Sequence, residues 1–75
     1  MDWQKLADKH AEQYKRGTIN CSDPEEKKYI IDIILKEFPS LNRNEVEREM
    51  ERCCETFYPY NSGDIFLAII SALKG

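Results

Sequence analysis

Apolar side chains recur along this chain at helical spacing, in four separate runs. In residues 2–16, Trp3, Leu6, Ala7, His10, Ala11 and Tyr14 follow an i, i+3, i+4, i+7, i+8, i+11 progression, one face of a helix. Asp2 stands where a cap is needed, and Gly17 follows Lys15 and Arg16 as a left-handed stop. Residues 17–22 hold the turn formers Gly17, Asn20 and Ser22, with Ile19 expected to tuck back into the core. A second helix, 24–38, opens on Asp23, with Pro24 at its first position and Glu26 placed to complete a capping box. Ile30, Ile31, Ile34, Leu35 and Phe38 form its stripe, and Ile33 widens it. Isoleucine favours strands, but Asp32 and Lys36 punctuate the run at helical intervals, and Pro39 ends it.

The third helix, 43–58, has the clearest start. Asn42 is the cap, Glu45 its capping-box partner, and Leu41 with Val46 the hydrophobic staple. Val46, Met50, Cys53, Cys54 and Phe57 make its stripe, and Pro59 closes it. The same device returns in Tyr60-Asn61-Ser62-Gly63-Asp64-Ile65, as shared turn chemistry and not a duplicated repeat, because the helices themselves do not match. The last helix, 62–73, buries Ile65, Phe66, Ile69, Ile70 and Leu73. Four single-striped helices on short connections must share one core. The expected fold is all-α, a compact four-helix bundle or orthogonal helical array, forming a single domain over residues 1–75.

Length then limits function. A chain of 75 residues has little core to spare for a deep catalytic cleft. A core gain of about 3–5 kcal/mol is typical at this size, so a homodimer is a secondary expectation. The longest apolar run near the C-terminus, 65–70, falls far short of the roughly 18 residues of a membrane span, so no membrane contact is expected. The first ten residues lack the charged-then-apolar layout of a secretory leader, which sets the expectation of a cytoplasmic protein. Cys21, Cys53 and Cys54 are then read as reduced thiols, the last two as small apolar core residues.

The residue types that carry chemistry are sparse. The chain has one histidine, and with the three cysteines it matches no zinc-finger or ribbon spacing, so no metal and no cofactor are expected. His10 sits on the apolar stripe of the first helix, the place of a structural histidine, and no catalytic residue is assigned. Glu45, Glu47, Glu49 and Glu51 alternate, so they point in different directions around a helix and form a solvated, salt-bridged face with Arg48 and Arg52.

Nucleic acid is disfavoured by a net charge of −3 with bases and acids intermixed. The alternative stays open in one form: a helix-turn-helix regulator reading base edges with Arg43 and Asn44 at the start of helix 43–58. Against it, that helix carries Glu45, Glu47, Glu49, Glu51 and Glu55. The leading expectation is a non-enzymatic domain whose partner is another protein. Tyr58 and Tyr60 in the last loop, with Trp3 near the N-terminus, are its candidate contact residues.

Residues 30–73 also resemble the CUE branch of the ubiquitin-associated three-helix domains. The resemblance rests on Phe38-Pro39 at the end of a first helix and on Ile70 with Leu73 in a last one. Glu37 stands where the family has Met, no true di-leucine is present, and the N-terminal helix lies outside the match. The resemblance implies binding of a ubiquitin-like surface through Phe38, Pro39 and the last helix.

Overall fold

The computed structural model describes residues 2–56 and 61–74. It contains four helices: α1 (Asp2–Tyr14), α2 (Pro24–Glu37), α3 (Arg43–Thr56) and α4 (Ser62–Lys74). The described residues contain no strand, only an isolated antiparallel bridge between Thr18 and Asn61. The all-α fold is therefore as expected. None of the described helices is long and apolar enough to cross a membrane. The expectations placed on Phe57, Tyr58, Pro59 and Tyr60 lie outside the described residues.

Three helices start by one scheme. Asp23 Oδ1 accepts the Glu25 and Glu26 amides at 3.0 and 3.3 Å. Asn42 Oδ1 accepts those of Asn44 and Glu45 at 2.8 and 3.4 Å. Asn61 Oδ1 accepts those of Gly63 and Asp64 at 2.9 and 3.3 Å. These satisfy amides that no helical carbonyl can reach. The capping box at Asp23 is a correction: its second half is not made. The Asp23 amide already donates to the Asn20 carbonyl at 3.1 Å, which leaves the Glu26 side chain free to turn inward.

The end of α1 is a second correction. The chain leaves the helix after Tyr14, and the left-handed residue is Lys15, with φ 58°, not Gly17. Leaving at Lys15 lets Arg16 reach back to Glu26 instead of pointing out along the helix. Helix α2 stops near its expected end: the Phe38 amide still donates to the Ile34 carbonyl at 2.8 Å, and Pro39 follows.

The helices close into a ring in which α1 and α3 each pack on both α2 and α4. Lys5 meets Glu37 at 3.7 Å and His10 meets Glu26 at 2.7 Å, so α1 and α2 run antiparallel. Arg43–Asp32 at 3.0 Å and Lys27–Glu51 at 2.6 Å show the same for α2 and α3. The radius of gyration is 10.8 Å, against about 11 Å expected for a folded chain this long.

The interior is built from the expected stripes. Leu6, Ile30, Ile34, Val46, Ile65, Phe66 and Ile69 have no exposed surface. Ile19, at 2% exposure, brings the α1–α2 connector into the same core. A third correction concerns the thiols. Cys21 and Cys54 form a disulfide with Cα atoms 6.0 Å apart, and only Cys53 is free, buried in the core. The bond spans 33 residues and closes a loop around α2 and most of α3. Closing a loop of that length removes denatured-state entropy worth about 3–4 kcal/mol.

Candidate functional site

The densest polar chemistry lies where the second half of α1, the connector and the start of α2 meet. His10 projects from the apolar face of α1, and Glu26 from the first turn of α2; both are fully buried. His10 Nε2 lies 2.7 Å from Glu26 Oε2. The carboxylate is an acceptor, so Nε2 carries the proton in this bond. Arg16 bonds the other oxygen, Glu26 Oε1, and the Asn20 amide donates to Oε2 at 3.2 Å. A buried carboxylate without partners is strongly unfavourable. Glu26 has three donors, one from α1 and two from the connector, and Arg16 brings the compensating charge.

Aromatic rings enclose this group. Tyr14 stacks on the His10 imidazole at 5.1 Å between centroids, and Phe66 of α4 meets its edge at 6.4 Å. The Arg16 guanidinium lies 5.3 Å from the Tyr14 ring centre, which meets Tyr29 edge-on at 5.5 Å. Burial, and then the nearby Glu26 carboxylate, push the Tyr14 phenol above its ordinary 10.0. His10 Nδ1 is buried with no hydrogen-bond partner among the described residues.

A histidine beside a carboxylate is the usual composition of a general base, but that role needs access to substrate. Here neither member touches solvent, and the rings of Tyr14 and Phe66 occupy the space beside the imidazole. Cys53 is equally sealed, and burial pushes its thiol above the ordinary 9.0, away from the thiolate a nucleophile needs. Among the described residues no group of three or more His, Cys, Asp or Glu side chains is arranged to hold a metal ion.

Two surface hollows bear on the residues singled out from sequence. An open groove of about 580 Å³ runs between α2 and α3, floored by Ile31 and rimmed by Lys27, Lys28, Arg43, Arg48, Glu47 and Glu51. Arg43, the base reader of the helix-turn-helix alternative, is held by Asp32 at 3.0 Å and Glu47 at 3.7 Å. A smaller hollow of about 340 Å³ lies between the start of α4 and α1, walled by Trp3. A Cβ on Gly63 would crowd the capping Asn61 Oδ1 at 3.2 Å and lie in ordinary contact with the Trp3 ring at 3.5 Å.

The residues singled out from sequence are spread over the molecule. Trp3 is half-buried against the core and beside Gly63. Tyr58 and Tyr60 lie outside the described residues. Phe38 is half-buried and Pro39 exposed, just beyond α2. Ile70 is in the core, and Leu73 packs partly against it. The sequence reading missed the burial of Glu26, the role of Arg16 and the disulfide. An acid at an ideal capping position gives no sign that it is used elsewhere. The signal available for it was a histidine in an apolar stripe, which needs a polar partner from another element. No family model, curated protein or solved structure matches this chain.

Proposed function

We propose that this chain is a small helical domain that acts by contacting another protein and performs no catalysis. The observation that supports this reading is the burial of His10 and Glu26: the chain's one histidine and its acid partner are spent on holding α1, the connector and α2 together. What is left for function is surface. The surface of choice is the end of the molecule where Trp3 borders the start of α4, close in sequence to Tyr58 and Tyr60. Aromatic rings near a shallow hollow are the usual anchors of a protein interface. The proposed location is the cytoplasm, with the Cys21–Cys54 pair cycling between thiol and disulfide forms.

The test is affinity capture with the wild-type chain and the Tyr58→Ala and Arg43→Glu variants, each first shown to fold. The reading expects a protein partner lost with Tyr58→Ala and kept with Arg43→Glu. Unchanged capture by Tyr58→Ala removes this surface.

The helix-turn-helix alternative is favoured by one observation, the cationic side chains Lys27, Lys28, Arg43 and Arg48 around the α2–α3 groove. It requires duplex DNA binding that weakens steeply with salt and disappears in Arg43→Glu. Absence of binding at low salt ends it. For the ubiquitin-type alternative, Pro39 is exposed beside Phe38, and titration with ubiquitin must shift the amide signals around residues 38–41.

A further inference from the structure

The α1–α2 connector is fastened on both sides. On one side the Gly17 carbonyl accepts the Ser62 amide at 2.9 Å, and Thr18 bridges to Asn61, so this half is tied to the start of α4. On the other side Cys21 is bonded to Cys54, which ties the second half to α3. Asn20 lies directly before Cys21, and its amide is one of the three donors to the buried Glu26. The covalent tie and the buried His10–Glu26 pair therefore share one short strap.

We propose that the Cys21–Cys54 disulfide is a thiol-exchange site whose reduction by a dithiol loosens this strap and opens the buried His10–Glu26 pair to solvent. A thiolate of the dithiol attacks Cys21 Sγ, the Cys21–Cys54 bond breaks, and Cys54 leaves as a thiolate that takes up a proton. The second thiol of the reductant then attacks the mixed disulfide, releasing Cys21 as a thiol and the reductant as its own disulfide. Two electrons and two protons pass to the protein, and the reverse exchange with a disulfide restores the bond. Cys21 is half-buried whereas Cys54 is 9% exposed, so Cys21 is the sulfur an incoming thiolate reaches. Cys53 follows Cys54 in the core with no exposed surface, and its thiol is held protonated by burial, so it does not compete in the exchange.

Once the bond opens, nothing covalent holds the second half of the strap against α3. Asn20 is then held by the bond from its amide to Glu26 at 3.2 Å and by local bonds, from the Asp23 amide to its carbonyl at 3.1 Å and from the Ser22 amide to its Oδ1 at 3.0 Å. The local bonds move with the strap, and the buried Ile19 and the ties to α4 anchor only its first half. As Asn20 departs, Glu26 loses an amide donor, and water reaches the pair from the carboxylate side. The pair becomes reachable without loss of the helices, because apart from Cys54 the buried apolar side chains are not part of the bond.

The chain's single histidine makes the test specific. The full chain, oxidised or reduced with dithiothreitol in the cold, is treated with diethylpyrocarbonate, and modification at His10 is followed by mass spectrometry alongside far-ultraviolet circular dichroism. The proposal expects slow modification of the oxidised chain and about tenfold or greater acceleration after reduction, with the helical signal kept, as for a local opening. The Cys21→Ser/Cys54→Ser double variant must behave like the reduced chain without reductant, and Cys53→Ala like the oxidised one. Equal rates in the oxidised and reduced chains overturn the proposal. So does loss of the helical signal on reduction, which makes the bond a support of the whole fold and not a strap.

Discussion

Among the described residues, Lys15 is the one non-glycine whose backbone is left-handed. Its φ of 58° is a left-handed conformation in which the Cβ crowds the following carbonyl. Lys15→Gly removes that cost and keeps the turn that delivers Arg16 to Glu26. Thermal denaturation should show a gain of about 0.5–1 kcal/mol, and a loss would mean that the turn depends on the lysine side chain. The sequence placed the stop at Gly17 because glycine is the usual left-handed residue. What moved it was the tertiary demand of a buried carboxylate on the next helix, which local turn rules do not register. Glu26 misled for the same reason. Its spacing from Asp23 is ideal for a capping box, and only the position of His10 on a neighbouring helix decides where its side chain goes. His10 itself was legible, since an imidazole in an apolar stripe belongs inside.

The element scale was the most legible, because a helix start is a local event. Asp23, Asn42 and Asn61 each cap as their neighbours require, and the Asn cap recurs before α3 and α4, though as at Asp23 the Glu45 side chain does not return a bond to the Asn42 amide. Replacing any one of the three by alanine should cost about 1 kcal/mol in denaturant unfolding, with the slope unchanged. An indifferent Asn42→Ala would show that α3 is held by packing alone. The disulfide was not legible at this scale. Cys54 occupies a proper core position on α3 and Cys21 a turn, so each has a sufficient local reason for its place. Their pairing follows only from the antiparallel packing of α2 and α3, which brings the start of one beside the end of the other.

The molecule as a whole should be fragile in alkali. Burial raises both the Tyr14 phenol and the Cys53 thiol. A group whose folded pKa is raised holds its proton more tightly when folded. Its contribution to stability is therefore intact below the ordinary values, 9.0 for the thiol and 10.0 for the phenol, and is lost as pH rises through the folded ones. Melting temperature should accordingly fall above about pH 9, with a shallower fall in Tyr14→Phe and in Cys53→Ala. A wild-type slope in both variants would place the alkaline loss elsewhere. The larger claim is that the His10–Glu26 pair is a closed structural unit and not a working site, and a double-mutant cycle tests it most directly. His10→Leu alone leaves a buried acid short of a donor and should cost about 3–5 kcal/mol. Adding Glu26→Leu should return more than about 1 kcal/mol of that loss, because the stranded acid is removed with its partner. Small, additive losses from the two substitutions would mean that the pair stands open to water, and would contradict the account.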